Sequence, residues 1–313
     1  MPGVAIVTDT TQYLPAEVIA RHGVHLVSLY VNWDGRTDRE SDLGDYDAFY
    51  EHMRMAATLP STSQPSVGDF LEVWRPLLDA GDAVLSIHLS GGISGTVGAA
   101  EQARDALIEE GVAAERITVL DSETGCAGHG LMAIAAANAV RGGADLTGAA
   151  GHGLMAIAAA NAVRDGADLA GAEAAARELR GRLKILFAVD TLEYLRRGGR
   201  IGAAQAWLGS ALKIKPILTI DREIMPIERV RTQGRAFQRM VDHLIERKES
   251  GADVYMIQHV QAHDVAERLV ERGREIYGRE PEFVSEIGPV IGAHVGPGLI
   301  GVTGLPSSLL GPM

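Results

Sequence analysis

The sequence predicts a two-domain α/β protein with a mostly parallel sheet in its N-terminal half and a mixed or antiparallel sheet in its C-terminal half. In the first half, short β-rich runs alternate with helical patterns, whereas in the second half strand-like runs follow one another directly. A chain of 313 residues is also long enough for two domains with ordinary cores. We place the boundary near residue 173, which gives domains 1–173 and 174–313.

The N-terminal half contains the apolar runs "VAIVT", "VHLVSLYV", "AVLSIHL" and "RITVLD", with helical patterns at 66–80 and 96–110 between them. Apolar runs separated by helices imply parallel strands with right-handed crossovers, flanked by helices. Ligands bind such sheets at the carboxyl ends of the strands. Polar residues follow three of the runs, and we expect them to converge on one edge: Asp9 and Thr10, Ser90 to Thr96, and Asp121 to Ser122. Asp9, Thr10 and Ser90 are among the candidate ligand contacts.

The C-terminal half begins with the strand-like runs "KILFAVDTL" and "IKPILTI", and in "DREIMPIERV" the letters "DRE" are suited to turning one strand back on the next. Helices are predicted around 233–249 and 263–277, with strands "DVYMIQH", "EFVSEI" and "GLIGVTG" around them. Neighbouring strands with few helices between them favour a mixed or antiparallel sheet with helices packed on it.

One segment is duplicated directly in tandem. Residues 127–149 recur as 150–172, with differences only at Gly142/Asp165 and Thr147/Ala170. A solenoid needs at least three units, so we interpret the duplication as one helix with its exit loop, copied once. Because a packed core has no spare volume, we expect the first copy to follow "RITVLD" into the fold and the second to be an added helix.

Composition excludes several functional classes. A formal net charge of −12 argues against nonspecific nucleic-acid binding, which needs a basic surface. A mean hydropathy of +0.06 and the lack of an apolar run of about 18 residues predict no stable membrane insertion. The single cysteine, Cys126, excludes an intramolecular disulfide framework. Together with the absence of a signal-like N-terminus, this predicts a cytoplasmic protein.

Known catalytic motifs match poorly. The stretch "GISGT" around Ser94 resembles the hydrolase elbow G-x-S-x-G but ends in Thr96 instead of glycine. A serine hydrolase acting on lipid esters, with Asp121 and His259 or His294 completing its triad, remains the alternative function. The chain has no P-loop, no H-E-x-x-H motif and no clear carboxylate–histidine cluster, so we expect no cofactor and no metal site.

The stretch "LSGGISGT" at 89–96 fits an anion cradle better. Its glycines let the backbone approach a ligand closely, and the following helix N-terminus attracts negative charge. A second hydroxyl-rich loop, "STSQPSVGDF" at 61–70, has Ser66 as a plausible N-cap. Two such loops are suited to holding a carboxylate; their candidate contacts are Thr62, Ser63, Ser94, Gly95 and Thr96.

Seven motifs resemble, in order and spacing, those of the DegV family of fatty-acid-binding proteins: "VTDTTQYLP", "TSQPSVGDF", "LSGGISGT", "VLDSETG…GHG", "DTLEYLRRGGRIG", "KPIL" and "GPVIGAHVGPG". The resemblance covers the chain apart from one copy of the duplication. It implies a DegV-like fold of two α/β domains that bind a long-chain, palmitate-like fatty acid between them. By motif, the carboxylate contacts fall on Thr62, Ser94 and Gly95, with His294 beside the head group.

The resemblance also implies a role and a partner. Family members are non-catalytic lipid-binding proteins that present the fatty acid to a separate fatty acid kinase, which phosphorylates its carboxylate for phospholipid metabolism. Two arginine-rich segments supply candidates for docking that kinase or accommodating phosphate: Arg197, Arg200, Arg229 and Arg231. The chain departs from the family in its first motif, usually closer to D-S-x-x-D-L-P, and in the duplicated helix.

Overall fold

The computed structural model describes residues 3–141, 183–208 and 214–310. The chain divides into two compact units. The first unit comprises the described residues within Met1–Ser28, Gln64–Leu183 and Ser307–Met313; the second comprises those within Leu29–Ser63 and Lys184–Pro306. The predicted boundary near residue 173 lies outside the described residues and stays a prediction. The sequence predicted two consecutive domains, whereas in the structure Leu29–Ser63 groups with the C-terminal part of the chain.

The strands are numbered in chain order. They are β1 (Val4–Asp9), β2 (His25–Val27), β3 (Tyr30–Trp33), β4 (Arg36–Arg39), β5 (Ser61–Ser63), β6 (Ala83–His88), β7 (Ile117–Asp121), β8 (Leu186–Ala188), β9 (Lys215–Asp221), β10 (Glu223–Val230), β11 (Val254–His259), β12 (Phe283–Glu286) and β13 (Ile300–Leu305).

The α-helices are numbered in the same way. They are α1 (Ala16–His22), α2 (Tyr46–Met55), α3 (Val67–Asp79), α4 (Thr96–Glu109), α5 (Ala127–Arg141), α6 (Glu193–Arg197), α7 (Gln233–Glu249), α8 (His263–Tyr277) and α9 (Pro289–Val295). None of these described helices is long and apolar enough to cross a bilayer.

The first unit is built on a parallel sheet of strand order β2-β1-β6-β7, which confirms the prediction for the N-terminal half. Its strands are continuous apolar runs because helices cover the sheet. Val7 and Val84 of the sheet are buried in one cluster with Phe70 and Trp74 of α3 and Ala103 of α4. The sheet therefore presents the carboxyl ends of β1, β6 and β7 side by side.

The first copy of the duplication follows β7 as predicted and forms α5, which packs against β1 and β6. Its start is tightly packed, since a Cβ on Gly130 would lie 3.0 Å from the side chains of Gln12 and Leu14. The absence of a side chain at Gly130 thus permits close packing in this unit. The second copy, 150–172, lies outside the described residues.

The second unit contains a six-stranded mixed sheet of order β10-β9-β8-β13-β11-β12, as the sequence predicted. The strands pair antiparallel except for β11 and β12, which run parallel. The predicted reversal at "DRE" is confirmed: Arg222 has a φ of 62°, and Asp221 pairs with Glu223 across the turn. Helices α7 and α8 bury Met240, Leu244 and Leu269 in a common core with Ile217 and Tyr255.

A three-stranded antiparallel sheet of order β4-β3-β5 also belongs to the second unit. The run "VHLVSLYV" was expected to be one strand, but it splits into β2 and β3, which lie in different sheets. The pair Asp34–Gly35, with φ values of 49° and 76°, turns β3 into β4, as Asp-Gly pairs do in tight hairpins. This small sheet supports α9, which contacts β3 and β5.

The predicted cap at Ser66 is confirmed by a capping box at the start of α3. The Ser66 hydroxyl accepts from the Asp69 N–H at 3.2 Å, and the Asp69 carboxylate accepts from the Ser66 N–H at 2.7 Å. We expect Ser66→Ala to lower the free energy of unfolding by about 1 kcal/mol, whereas Ser66→Thr, which keeps the hydroxyl, largely preserves it. Urea unfolding measures the free energy of unfolding of both variants. An equal loss in Ser66→Ala and Ser66→Thr would show that the cap hydroxyl contributes nothing.

Candidate ligand-binding site

The central feature of the second unit is a polar pair formed by Thr62 and His294. The Thr62 Oγ1 and His294 Nε2 atoms are 2.7 Å apart. Thr62 is the middle residue of β5 and pairs with Val31 of β3, while His294 lies in the last turn of α9. Because α9 packs on β5, residues that are 232 positions apart in sequence form a hydrogen bond.

Several contacts fix α9 and therefore the His294 ring. The Glu40 carboxylate accepts from the Val290 N–H at 2.8 Å, at the N-terminus of the helix. The Tyr50 hydroxyl donates to the Ile287 carbonyl at 2.7 Å, and a Cβ on Gly292 would collide with that hydroxyl. Helix α9 is thus held at its beginning and along one side.

Gly198, which directly follows α6, lies against the His294 ring. A Cβ at this position would overlap Nδ1 and lie 3.0 Å from Cε1 of the ring. The φ of Gly198 is −76°, so the position needs glycine for space and not for backbone conformation. The glycine of "RRGG" therefore makes room for the histidine of "GAHVG".

Burial keeps His294 neutral. Desolvation of the buried ring, assisted by the positive charge of Arg200, lowers the pKa of His294 to about 4. The imidazole is therefore uncharged at neutral pH. Its Nδ1 atom is buried and has no hydrogen-bond partner among the residues that the structure describes. The pair thus offers a hydroxyl and a neutral imidazole beside a nearby guanidinium.

In the first unit, the loop after β6 carries the hydroxyl of Ser94. Its Oγ lies 2.9 Å from the Thr96 Oγ1 and accepts from the Thr96 N–H at 3.3 Å. Thr96 begins α4, whose first N–H groups lack intrahelical acceptors and whose dipole favours an anion. A Cβ on Gly95 would lie 2.9 Å from the Gln64 side chain, so this loop and the segment preceding α3 meet closely.

The polar strand ends of this unit converge as predicted. The Gly91 N–H is 3.2 Å from both carboxylate oxygens of Asp121, which follows from the pairing of β6 with β7. The Ser90 carbonyl accepts from the Ser94 N–H at 3.1 Å, and Ser90 itself is buried. These contacts shape the loop that presents Ser94.

Asp9 is fully buried, and both of its carboxylate oxygens have partners inside the unit. One oxygen lies 3.1 Å from His88 Nδ1 and accepts from the Leu89 N–H at 3.0 Å. The other lies 3.3 Å from His129 Nε2 and accepts from the Thr11 N–H. Burial raises the pKa of Asp9, but the two histidines outweigh it and hold the pKa well below its usual value.

These contacts favour a positioning role for Asp9, because its carboxylate ties the end of β1 to the start of the Ser94 loop. His88 also contacts the Ser86 hydroxyl, with Nε2 and Oγ 2.6 Å apart. Ser86, His88 and Asp9 thus have the connectivity of a catalytic triad. All three side chains are completely buried, however, which denies a substrate access to Ser86.

The remaining predicted site residues occupy different environments. Thr10 is buried at the start of a 3₁₀ turn, and the Ser63 hydroxyl accepts from the Asn32 amide at 3.3 Å.

The arginines predicted to contact a partner or phosphate are all exposed. Arg197 forms an exposed ion pair with Glu193, and Arg200 is the arginine whose charge acts on His294. Arg229 and Arg231 are also exposed: the Arg229 guanidinium lies 5.4 Å from the Trp207 ring centroid, and Arg231 directly follows β10.

A cluster of His259, His263 and Glu286 in the second unit was missed by sequence reasoning. The two histidines are four residues apart in "HVQAH", which was a visible signal, but Glu286 joins them only through the pairing of β11 with β12. The sequence therefore predicted no metal site where three side chains of metal-ligand type meet.

Comparison with known proteins identifies relatives over nearly the whole chain. A family model described as "Uncharacterised protein, DegV family" matches residues 3–150 and 146–307, so the matched segments meet where one copy of the duplication follows the other. A DegV domain-containing protein of Clostridium acetobutylicum is 36% identical over 301 residues, which cover 96% of each chain.

Solved structures that are similar to this chain include two proteins described as fatty acid binding. One is described as showing fatty acid binding of a DegV family protein from Thermus thermophilus; it is 32% identical, with a TM-score of 0.74, and the match covers 97% of this chain and 99% of that one. The other is DegV, a fatty acid binding protein from Bacillus subtilis, with 32% identity, a TM-score of 0.73 and the same coverage.

The contact at Gly198 generates a first prediction for the site. Gly198→Ala must displace the His294 ring, break its contact with Thr62 and lower the free energy of unfolding by about 1–3 kcal/mol, as overpacking does. Gly234→Ala is the control, because a Cβ there meets nothing within 4 Å. NMR of the histidine rings and urea unfolding measure both effects; an unperturbed His294 resonance in Gly198→Ala would contradict the packing described.

The lowered pKa of His294 generates a second prediction. The unfolded chain takes up a proton at this histidine near its ordinary value of 6.5, whereas the folded chain does so only near about 4. Stability is therefore lost as the pH falls from about 6.5 to 4, by at most about 3 kcal/mol for this group. His294→Gln should reduce the dependence of the free energy of unfolding on pH over this window, as measured by urea unfolding at several pH values. Substitution of the exposed His25 by Gln should leave that dependence as it is in the wild type. Parallel profiles for the two variants would refute the assignment.

Proposed function

This chain belongs to the DegV family, and on that basis we propose that it binds a long-chain, palmitate-like fatty acid and is itself not an enzyme. The similar proteins from Thermus thermophilus and Bacillus subtilis are described as fatty acid binding. The observation that supports this function most directly is the pair formed by Thr62 and the neutral, buried His294. It is suited to receiving a carboxylate.

We assign the Nε2–H tautomer to His294. The other tautomer would place an N–H at Nδ1, which is buried and has no acceptor among the described residues. Orphaned buried N–H groups are rarer than unpaired acceptors. With the proton on Nε2, the imidazole donates to Thr62 Oγ1, and the hydroxyl proton of Thr62 is left to donate to a carboxylate oxygen. His294 therefore orients the Thr62 hydroxyl as a donor.

We further propose that Ser94 and Gly95 supply donors from the first unit. The Ser94 hydroxyl and the N-terminus of α4 are both chemically suited to a carboxylate. Arg200 adds a positive charge that favours an anion near His294. Thr10, Ser90 and Thr96 are further candidate contacts within the first unit and Ser63 within the second, while Asp9 ties the end of β1 to the start of the Ser94 loop.

The two ends of the ligand contribute differently to affinity. Burying about fourteen methylene groups at ~0.8 kcal/mol each gives a gross gain of about 11 kcal/mol, before the ligand and protein are ordered. Each charge-assisted hydrogen bond to the head contributes about 1.5–3 kcal/mol. The hydrocarbon tail therefore provides most of the affinity, and the head-group contacts select an acid and fix its orientation.

The next step in this proposal is presentation of the bound carboxylate to a separate fatty acid kinase. The exposed arginines Arg197, Arg229 and Arg231 are the candidates for docking that partner or accommodating phosphate. The Ser94 hydroxyl contacts the Thr96 hydroxyl at the start of α4, whereas a hydrolase would require a histidine in contact with this serine.

Binding of palmitate by the delipidated protein tests the function. We expect Thr62→Val, which removes the hydroxyl but keeps the shape, to weaken binding about 10- to 100-fold, as loss of one charge-assisted hydrogen bond does. Thr58→Val is the matched control, because Thr58 is an exposed threonine four residues earlier in the same unit. Isothermal titration calorimetry gives the affinities, and thermal unfolding verifies that the variants fold.

Native mass spectrometry of the freshly purified chain provides the complementary readout, a co-purified free fatty acid. A wild-type chain that binds no fatty acid would refute the proposed function. If Thr62→Val and the wild type bind palmitate with equal affinity, the chain binds lipid but Thr62 does not contact the head group. Labelling of Ser94 by a fluorophosphonate probe would favour the hydrolase instead.

A further inference from the structure

The second unit contains a cluster of metal-ligand side chains that the fatty-acid proposal does not use. His259, His263 and Glu286 each direct one ligand atom to a common region, and these atoms all lie within 4.8 Å of one another. The rings of His259 and His263 meet edge to face with centroids 4.6 Å apart. His263 Nε2 lies 3.9 Å from the Oε1 atom of Glu286.

The backbone brings these residues together at the carboxyl end of two parallel strands. His259 ends β11 and Glu286 ends β12, and the register pairs the two residues directly. The His259 carbonyl accepts from the Ile287 N–H at 2.7 Å, which extends that pairing beyond the strands. His263 begins α8, so only a short connection separates it from His259. Strand ends of this kind are where α/β sheets place ligands.

Glu286 is held in place by Gln261, which lies in that connection. One oxygen of Glu286 accepts from the Gln261 backbone N–H at 3.1 Å and from its side-chain amide at 2.8 Å. Gln261 has a φ of 49°, a conformation that non-glycine residues seldom adopt and that another interaction must stabilise. These two donors therefore position the same Glu286 oxygen, Oε1, that lies 3.9 Å from His263 Nε2.

His259 provides an independent sign of a ligand. Its side chain is only 5% exposed, and its Nδ1 atom is buried with no hydrogen-bond partner within the part of the chain that the structure describes. Buried imidazole nitrogens normally have a partner, because leaving one unsatisfied is costly. A metal ion bound at Nδ1 would give this buried atom the partner that it lacks among the described residues.

We propose that His259, His263 and Glu286 form a binding site for a divalent transition-metal ion of the zinc type. Two imidazoles and one carboxylate are a ligand set that zinc sites use when a fourth position stays open to water. Ligand atoms about 2.0–2.1 Å from a zinc ion lie at most about 4.2 Å from each other, so binding requires a small contraction of the cluster. The exposed side chain of His263, at 57%, is free to make that movement.

A bound ion would join β11, β12 and α8 at one point. Because the three ligands come together only in the folded chain, the ion should bind the folded state and not the unfolded state, and so stabilise this edge of the second unit. The full chain is treated with EDTA, dialysed, and titrated with zinc chloride by calorimetry. We expect one saturable equivalent per chain and a higher melting temperature with zinc. Cobalt(II) titration should produce visible absorption bands of a low-symmetry site with nitrogen and oxygen ligands.

Two variants test the assignment. His263→Ala and Glu286→Gln should each weaken zinc binding by at least about 10-fold, since each removes a direct ligand and even indirect support of a ligand is worth that much. His52→Ala is the control, because it removes another exposed histidine of the same unit that contacts a carboxylate, Asp34. Palmitate affinity of these variants should match that of the wild type, which separates this site from the proposed fatty-acid site.

Zinc binding of equal strength in the wild type, His263→Ala and Glu286→Gln would place the ion elsewhere and overturn the proposal. So would the absence of saturable binding to the wild-type chain. Loss of binding in His52→Ala alone would assign the ion to the surface pair with Asp34. His263 is exposed and Gln preserves the shape of Glu286, so thermal unfolding without metal should confirm that both variants fold.

Discussion

The hydrogen bond between Thr62 and His294 is the constraint on which the account of the second unit depends. It joins the short strand β5 to the last turn of α9, and its imidazole is buried and, with a pKa lowered to about 4, uncharged at neutral pH. Its neighbours serve that requirement: Gly198 leaves room for the ring, and Glu40 anchors the helix that carries it. A hydroxyl next to a neutral histidine gives a donor of defined direction without a buried charge.

In the first unit, a buried charge, the Asp9 carboxylate, fixes the strand ends that carry the candidate ligand contacts. Asp9 is ionised in the core because two histidines and two backbone N–H groups compensate for its burial. That carboxylate fixes the end of β1 against the start of the loop that carries Ser94. A buried ion that is fully partnered specifies one arrangement of the strand ends, and loss of a partner leaves it uncompensated. The Ser94 loop is therefore attached to strand ends whose arrangement Asp9 fixes.

Local patterns were sufficient to predict much of the fold. The cap at Ser66 defined the start of α3, and the polar "DRE" turn separated β9 from β10, because each signal depends on residues that adjoin in sequence. The split of "VHLVSLYV" was not predictable in this way, since both halves are apolar and only the tertiary pairing of β3 with β5 decides their sheets. Grouping of Leu29–Ser63 with the second unit has the same origin.

The candidate site was predictable by residue type but not by geometry. The resemblance placed Thr62 and His294 beside the same head group, yet the hydrogen bond between them depends on α9 packing on β5. The space for the ring at Gly198 and the meeting of His259 with Glu286 arise from helix packing and strand register. Such contacts join positions far apart in the chain, so no spacing rule along the sequence reveals them.

Measuring the protonation state of His294 at neutral pH tests most directly whether Thr62 and a neutral imidazole form the carboxylate-binding pair. Long-range ¹H–¹⁵N NMR correlation of the imidazole ring distinguishes the two neutral tautomers and the imidazolium. We expect a neutral ring with its proton on Nε2, which leaves the Thr62 hydroxyl proton for a carboxylate. A proton on Nδ1, or a doubly protonated ring at pH 7, would contradict it.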